Sequence, residues 1–348
     1  MVTMCAQRPH GGANPAAIAV IMPVYNGSAF LARSLAPLTA MLARGEVAEL
    51  IVVDDGSTDD SMLLARAAGA TVMTSGGRLG PGAARNVGAR AAGAAILWFV
   101  DADVVVHAQA AERIGAVFGG AGGAPLAALF GSYDDEPAAP GFFSQYKNLA
   151  HHHQHQRSGG ASSSFWAGCG AVRSAAFAAV GGFDGARYPQ PSIEDIDMGA
   201  RMAALGMPVV LDPAILCTHL KVWRLKELLA TDILRRALPW SRLILARGTL
   251  RDELNVRHSE RWRALLAALF LSALAAPLLA PPLPALLCAA LLGGAAIGAN
   301  HRLFSLFRRR HGSRFALLAM AFHQLVYVYS GAVFAFCWVE WRLGRRPR

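Results

Sequence analysis

Residues 96–103 read Ile-Leu-Trp-Phe-Val-Asp-Ala-Asp. The five apolar residues have the length and the β-branched and aromatic composition of a buried strand. Asp101 and Asp103 follow, and side chains two positions apart on extended backbone point the same way. We therefore expect both carboxylates to face one ligand, as a pair of hard oxygen donors that suits Mg²⁺ or Mn²⁺ carrying a diphosphate. Taken alone, the pattern fits a surface turn about equally well.

Strand patterns alternate with helix patterns around this segment. We predict strands at 17–22, 50–53, 70–73, 95–100 and 126–130, and helices at 29–44, from Asp59 onward, and at 83–92. After a less regular stretch we predict two further strands, at 162–172 and 209–211. Such repeated βα units predict an α/β fold with a mostly parallel sheet covered on both faces. Ligands of these sheets bind beyond the carboxyl ends of the strands, where Asp54, Asp55, Asp101 and Asp103 all fall. This convergence is the main argument for a nucleotide-diphosphate site.

Three further segments lie at strand ends. Pro23-Val24-Tyr25-Asn26 closes the first strand, where Tyr25 would either pack on a nucleobase or belong to the core. Val-Asp-Asp-Gly-Ser-Thr-Asp at 53–59 closes the second; one of its carboxylates can accept hydrogen bonds from a base or ribose, and Asp59 can cap the next helix. Gly-Pro-Gly-Ala-Ala-Arg-Asn at 80–86 is a glycine turn into a helix, where Arg85 could hold the nucleotide or the facing carboxylates.

In this order and spacing, Pro-Val-Tyr-Asn, Val-Asp-Asp-Gly-Ser-Thr-Asp, Gly-x-x-x-Ala-Arg-Asn and Asp-Ala-Asp resemble a family 2 glycosyltransferase with the GT-A fold, over about residues 17–245. The resemblance implies a nucleotide-sugar donor, a divalent metal (Mg²⁺ or Mn²⁺) and inversion at the anomeric carbon. It makes Asp54 and Asp55, with Pro23, Tyr25 and Arg85, donor-binding residues. It makes Asp101 and Asp103 the pair that holds the metal and the diphosphate.

Later segments extend the resemblance. Gly168, Cys169 and Gly170, with Trp223, correspond to the acceptor side of the family. Glu-Asp-Ile-Asp at 194–197 resembles the family's Glu-Asp motif, and an inverting displacement needs one base to take the proton of the acceptor hydroxyl. We assign Asp195 as that base, with Glu194 supporting it. The alternative is an ordinary acidic first turn of a helix, capped by Ser192.

The segment near residue 219 is informative about two properties: contacts with the donor phosphates and processivity. In many relatives a basic residue here reaches the phosphates, so His219 or Lys221 is expected to do so. The Gln-x-x-Arg-Trp motif of processive relatives is absent, which favours a non-processive hexosyltransferase-type enzyme. His151 and His155 share a helical face, but no carboxylate or cysteine accompanies them, and a solvated or acceptor-facing helix is favoured over a zinc site.

The positive charge is concentrated at one end of the chain. Of the 33 Lys and Arg and 23 Asp and Glu residues, 11 Arg and one Glu fall in residues 261–348, so the remaining 22 and 22 cancel. Because these arginines flank long apolar runs, they predict a cytoplasmic membrane face rather than a nucleic-acid site. We expect spans at about 264–280, 283–299 and 315–339, with a basic loop at 302–314 before the last span and with buried soluble helices as the alternative. Residues 223–247 read as an amphipathic helix at the interface, with a surface helix on the domain as the alternative.

The predicted organisation is a tail at 1–16, a GT-A domain at 17–222, interface helices at 223–260 and a transmembrane region at 261–348. No apolar signal segment is seen in the tail, and five scattered cysteines fit a reducing compartment, so the catalytic domain is expected on the cytoplasmic side of the inner (plasma) membrane. The acceptor is expected to be lipid-linked or a glycolipid. The alternatives are a nucleotidyltransferase on a similar fold, or a non-catalytic membrane assembly protein.

Overall fold

The structure, a computed structural model, describes residues 17–120, 126–248, 257–278 and 281–344. The chain divides into two compact units. The first comprises the residues up to Ser132 together with Gly160–Thr218, and the second comprises Tyr133–Gly159 together with His219–Arg348. The predicted tail at 1–16 lies outside the described residues.

The first half of the first unit is a parallel sheet with helical connections. Its elements are β1 (Ile18–Val24), α1 (Ser28–Ala43), β2 (Glu49–Asp54), α2 (Ser61–Ala67), β3 (Thr71–Thr74), α3 (Pro81–Ala91) and β4 (Ile96–Val100). β1 pairs in parallel with both β2 and β4, and β2 pairs in parallel with β3. Every residue of β1 and β4 is buried, as expected for strands covered on both faces. The predicted α/β fold is confirmed.

The sheet continues with antiparallel and mixed strands. These elements are β5 (Val104–Val106), α4 (Ala110–Gly119), β6 (Ala128–Tyr133), β7 (Gly160–Ser162), β8 (Cys169–Arg173), α6 (Ser174–Val180), α7 (Glu194–Ala204) and β9 (Val209–His219). The strand order is β3-β2-β1-β4-β8-β6-β9-β5, with β7 paired to β9. Because β8 runs antiparallel to β4, Cys169 lies opposite Val100 and the two strands bring their connecting loops to the same edge.

Two strand predictions in this region are wrong. A single strand over 162–172 is replaced by β7 and β8, since the residues between Ser162 and Cys169 leave the sheet. The short strand predicted at 209–211 continues through Asp212 and Pro213 to His219. The Asp212 carboxylate accepts from Arg113 Nε at 2.6 Å, which fixes the strand to α4 at this point.

The second unit is helical in the part that the structure describes. It contains α5 (Phe142–Gln156), α8 (Leu225–Ala230), a π-helical segment (Thr231–Ala237), α9 (Leu238–Arg247), α10 (His258–Ala275), a 3₁₀ turn (Ala276–Leu278), α11 (Pro282–Ala299) and α12 (His301–Arg342). A core around Tyr146, Leu149, Phe307 and Met320 joins α5 to α12. Lys147 and Tyr329 both bond to the buried Asp232 carboxylate of the π-helical segment.

Three helices of this unit are long and apolar enough to cross a membrane: His258–Leu278, Pro282–Ala299 and His301–Arg342. Their apolar side chains stay largely outside the protein core; Leu278 is 85% exposed and Leu291 is 76% exposed. This exposure disfavours the alternative of buried soluble helices and indicates membrane association. α12 has non-helical backbone at Gly312 (φ 78°), so the predicted span at 315–339 follows a separate helical piece that begins at His301, where a loop was expected.

Candidate active site

The loops that follow β1 and β2 are bonded to each other. The Asn26 N–H donates to Ser57 Oγ at 3.0 Å, and the Thr58 N–H donates to Asn26 Oδ1 at 2.8 Å. Asp59 accepts from the Ser28 N–H at 2.9 Å and from the Ser61 N–H at 3.0 Å, so it holds the first turns of both α1 and α2. Burial opposes ionisation of Asp59, but the hydrogen bonds from Ser61 and Ser28 outweigh it and lower its pKa. These hydrogen bonds join the loops after β1 and β2 at the carboxyl end of the sheet.

The paired acids at the end of β2 have different surroundings. Asp55 is 5% exposed and accepts from Ser75 Oγ at 2.8 Å, the Leu79 N–H at 2.9 Å and the Gly80 N–H at 2.9 Å. It therefore holds the loop that leads into α3. Asp54 is half-buried and accepts from the Ser57 N–H at 2.8 Å. The nucleoside contacts predicted for both acids stay predictions, and Asp54 has the greater access.

Tyr25 lies at the end of β1 and is 41% exposed, which rules out the alternative of a core tyrosine. The guanidinium of Arg78 lies 4.1 Å from the centre of its ring, within the range of a cation–π contact. Pro23 is buried inside β1, opposite Val53 of β2. Tyr25 thus presents an aromatic face at the carboxyl end of the sheet. Arg78 escaped the sequence analysis because its loop carries no recognisable motif.

Asp101 and Asp103 lie in a tight turn directly after β4. The Asp101 N–H donates to the Gly168 carbonyl at 3.2 Å, and the Val104 N–H donates to the Asp101 carbonyl at 3.0 Å. The extended backbone on which both carboxylates were expected to point the same way is not found here, since β4 ends at Val100 and a turn follows. Both side chains remain half-buried at the carboxyl end of the sheet.

Arg85 connects two of the predicted acids. Its Nη2 lies 2.6 Å from Asp101 Oδ1 and its Nη1 lies 3.0 Å from Glu194 Oε1. The side chain is almost fully buried; burial by itself lowers the pKa of the guanidinium, but Asp101, Glu194 and Asp195 together raise it. Of the two predicted roles for Arg85, holding the facing carboxylates is the one the structure supports. The turn after β4 and the start of α7 are thereby tied to α3.

Asp195 lies in the first turn of α7 and is half-buried. Its Oδ2 accepts from the Ala167 N–H at 3.1 Å, and its Oδ1 accepts from the Ile196 N–H at 2.8 Å. Burial and the neighbouring Glu194 raise the pKa of Asp195 to about 6, against the opposing effect of these N–H groups and Arg85. A carboxyl group that titrates near neutral pH suits proton transfer.

Glu194 supports this arrangement rather than competing with it. It is 5% exposed, and its Oε2 accepts from the Ser192 N–H at 2.9 Å while Oε1 bonds to Arg85. Ile193 rather than Ser192 is the N-cap residue of α7, so the capping expected in the alternative is not borne out. The acidic first turn of that alternative is present, formed by Glu194, Asp195 and Asp197. Both oxygens of Glu194 are thus engaged, which leaves Asp195 as the acid nearer to solvent.

Gly168 and Gly170, which were predicted on the acceptor side, allow the loop that contains Trp166 to pack closely on β8. A Cβ at Gly170 would lie 2.3 Å from the Trp166 carbonyl oxygen, and a Cβ at Gly168 would lie 2.6 Å from its indole ring. Cys169 is buried in β8. The same loop supplies the Gly168 carbonyl to Asp101 and the Ala167 N–H to Asp195. Side chains at these glycines would displace the backbone that aligns the two acids.

The remaining predicted site residues belong to the second unit. The His219 ring stacks on Tyr133 with centroids 4.6 Å apart, and its Nδ1 lies 2.9 Å from Asn148 Oδ1. Lys221 lies over the Trp223 ring at 4.2 Å. The donor-phosphate role of His219 and Lys221, and the acceptor role of Trp223, stay predictions.

Two histidines of α5 pack against aromatic rings, so of the two expected arrangements the solvated helix is disfavoured and the acceptor-facing helix stays a prediction. His151 lies 4.4 Å from the Tyr133 ring and 3.9 Å from the His155 ring, measured between centroids. Burial, followed by the charge of His155, lowers the pKa of His151. Among the described residues, no group of three or more His, Cys, Asp or Glu side chains is arranged to hold a metal ion.

The acids at the end of β4 nevertheless fit a divalent cation that a diphosphate would complete. Mg²⁺ is commonly held by one or two carboxylates together with substrate phosphates, so a third protein ligand is not required. Asp101 and Asp103 supply two carboxylates on one turn, and Arg85 occupies only Oδ1 of Asp101 among the described contacts.

The sequence comparisons match one family profile and several curated proteins. Residues 19–177 match the profile of the family described as Glycosyl transferase family 2. The succinoglycan biosynthesis protein ExoU of Rhizobium meliloti is 36% identical over 96 residues, 26% of this chain and 27% of that protein. A validoxylamine A glucosyltransferase of Streptomyces hygroscopicus subsp. limoneus is 28% identical over 228 residues, 56% of this chain and 49% of that protein. The chain thus spans about half or less of these relatives.

Among solved structures, the mannosyltransferase PcManGT from Pyrobaculum calidifontis, in complex with GDP-Man and Mn²⁺, superposes with a TM-score of 0.54. The match covers 90% of this chain and 86% of that one, at 17% identity. At this identity the likeness supports the fold, and the GT-A architecture predicted from the sequence is confirmed.

Proposed function

We propose, from the match of residues 19–177 to the Glycosyl transferase family 2 profile, that the protein is a membrane-anchored, inverting glycosyltransferase. It moves a sugar from a nucleotide-sugar donor to a lipid-linked or glycolipid acceptor at the cytoplasmic face of the inner membrane, and it does so without processive extension. The observation that carries the proposal is the joining of Asp101 and Glu194 through Arg85, next to Asp195.

Donor binding is assigned to the strand ends of the parallel sheet. Tyr25 offers an exposed ring for a nucleobase, and Asp54 offers carboxylate oxygens for base or ribose donors. Asp101 and Asp103 hold the diphosphate end through Mg²⁺ or Mn²⁺. When bound, the cation would neutralise the charge that develops on the departing nucleoside diphosphate.

Acceptor activation is assigned to Asp195. Its carboxylate takes the proton of the acceptor hydroxyl as that oxygen attacks the anomeric carbon from the face opposite the leaving group. The Ala167 and Ile196 N–H groups fix the orientation of the carboxylate, and a pKa of about 6 keeps it ionised yet basic at neutral pH. Glu194 acts by raising this pKa and by anchoring α7 to Arg85.

The lipid character of the acceptor is inferred from the C-terminal helices. Three helices of membrane length leave their leucines exposed, which supports an enzyme that acts at a bilayer. The arginines around these helices favour the cytoplasmic side. The mannosyltransferase that shares the fold was solved with a nucleotide sugar and Mn²⁺, which supports the same donor class and metal here.

The proposal is tested by screening sugar nucleotides with the purified full chain in detergent. We expect one donor to raise the unfolding midpoint in the presence of Mn²⁺ or Mg²⁺ and to be slowly hydrolysed. Adding a membrane lipid extract should then give a glycosylated lipid whose anomeric configuration, read by NMR, is opposite to that of the donor. A protein that neither binds nor hydrolyses any sugar nucleotide contradicts the proposal.

A further inference from the structure

The second unit contains a basic cavity of about 380 Å³ between the end of α5 and the start of α12. Its lining includes three arginines and three histidines: Arg157, Arg302, Arg309, His152, His153 and His301. Ser305 adds a hydroxyl group, and no carboxylate contributes to the described lining. Arg302, Arg309 and His301 are exposed, so the cavity is open to a ligand from solvent.

The positive charges that line this cavity have few acidic side chains near them to balance them. Glu260 is the acid near Arg157, at 3.9 Å from its Nη1, and Glu260 also pairs with Arg263 and accepts from Tyr327. Burial, followed by the charges of neighbouring arginines, lowers the pKa of Arg157 and lowers that of His153 to about 4. A bound anion would reduce the repulsion between these positive charges and so favour their protonated forms.

The position of the cavity suits a membrane-surface ligand. α11, an apolar helix of membrane length, ends at Ala299, and Arg302 and Arg309 lie on the following piece of α12. The apolar part of α12 begins only after the break at Gly312 and the exposed Arg314. The arginines therefore lie in a polar segment that joins two apolar helices, where lipid phosphates would be within reach if both helices enter a bilayer. Clusters of Lys and Arg next to membrane helices bind anionic lipid head groups.

We propose that this cavity binds a phosphate group, carried by an anionic phospholipid head group or present as free phosphate. Arg302 and Arg309 pair with the phosphate oxygens, since arginine forms bidentate, charge-assisted hydrogen bonds with phosphate. Ser305 and His301 supply further donors. The site does not depend on the sugar-transfer chemistry, so either proposal can fail without the other.

The test uses the full chain in neutral detergent micelles and follows its unfolding midpoint. One arm titrates dihexanoyl-phosphatidylglycerol against dihexanoyl-phosphatidylcholine, and the other titrates sodium phosphate against sodium chloride at matched ionic strength. The variant is Arg302→Ala with Arg309→Ala. The matched control is Arg308→Ala with Arg314→Ala, which removes the same charge from exposed positions of α12 outside the cavity lining.

We expect a saturable rise in the midpoint with phosphatidylglycerol or phosphate. Its half-saturating concentration should increase about tenfold or more in the Arg302/Arg309 variant, and should stay within about twofold in the control. A response to phosphatidylglycerol alone identifies a lipid head group, and a response to phosphate identifies the free anion; both support the site. No saturable response to either probe, or equal weakening in the two variants, overturns it.

Discussion

The backbone N–H of Ala167 donates a hydrogen bond of 3.1 Å to Oδ2 of Asp195. Ala167 precedes Gly168, whose carbonyl accepts from the Asp101 N–H, so one short loop contacts both the turn after β4 and the first turn of α7. The two acids belong to segments far apart in the sequence. Their relationship depends on a backbone loop that admits no side chain at Gly168 or Gly170.

The Arg85→Ala variant should lose stability as well as activity. Removing a buried arginine leaves Asp101 and Glu194 without their counter-charge, which costs about 3–5 kcal/mol of unfolding free energy for a buried pair. The control is Arg90→Ala, an exposed arginine on the same helix. Chemical denaturation of both variants measures the difference. Equal stabilities for the two would show that the Arg85 bridge has no structural role.

The Asp103→Asn variant should abolish metal-dependent donor binding. The substitution removes one of two carboxylates of the proposed metal pair while preserving the size of the side chain. Isothermal titration calorimetry with the donor and Mn²⁺ should show heat for the wild type and none for the variant. Asp60→Asn, an exposed acid before α2, is the control and should bind normally. Unchanged donor affinity in Asp103→Asn counts against the metal assignment.

Activity should rise with pH and level off above about 6. Asp195 acts as a base only when ionised, and its pKa in the ligand-free protein is about 6, so each pH unit below this value should lower kcat/KM for the acceptor about tenfold. The rate is measured at subsaturating donor and acceptor between pH 4.5 and pH 8, within the range where the protein stays folded. An acid limb with a midpoint near 4, the ordinary carboxyl value, would remove Asp195 from this role.

The same shift has a consequence for stability. The folded-state pKa of Asp195 is raised above its unfolded value, so the proton stabilises the folded state fully below about pH 4, and this stabilisation is lost as the pH rises through 6. Ionised Asp195 therefore costs up to about 3 kcal/mol at neutral pH. The Asp195→Asn variant should unfold at a higher temperature than the wild type at pH 7.5 but not at pH 4. A lower midpoint at pH 7.5 would contradict this.

The Tyr25→Ala variant should weaken donor binding with little effect on folding. The ring is 41% exposed, and stacking of a nucleobase on an aromatic side chain contributes about 1–3 kcal/mol. Tyr25→Phe keeps the ring and should bind the donor almost normally. The measurement is the donor dissociation constant of the wild type, of Tyr25→Ala and of Tyr25→Phe. If both variants bind equally well, the ring is not the nucleobase platform.

The parallel half of the sheet was predictable because its signals are local. β1 to β4 are short apolar runs that end in acids or glycine turns, and they form within two residues of the predicted bounds. The antiparallel half was harder. β9 runs through Pro213, which local rules treat as a strand breaker, and β5 has only three residues, Val104–Val106.

The sequence predicts which residues belong to the candidate site, but it predicts few of the contacts between them. The acids were identified from their motifs, and Arg85 from its place in the glycine turn before α3. The Ala167 N–H carries no side-chain signal, and Arg78 lies in a loop without a motif, so neither could be assigned before the fold was known. The turn at Asp101 depends on the pairing of β4 with β8, a long-range contact.

Sugar transfer by the Asp195→Asn variant decides whether this carboxylate is the catalytic base. A labelled nucleotide sugar identified by the screen is incubated with membrane lipid extract and Mn²⁺, and donor affinity is measured in parallel. We expect donor binding within about twofold of the wild type and transfer reduced by a factor of about 10² or more, the typical contribution of a general base. Transfer at the wild-type rate would show that Asp195 is not the catalytic base.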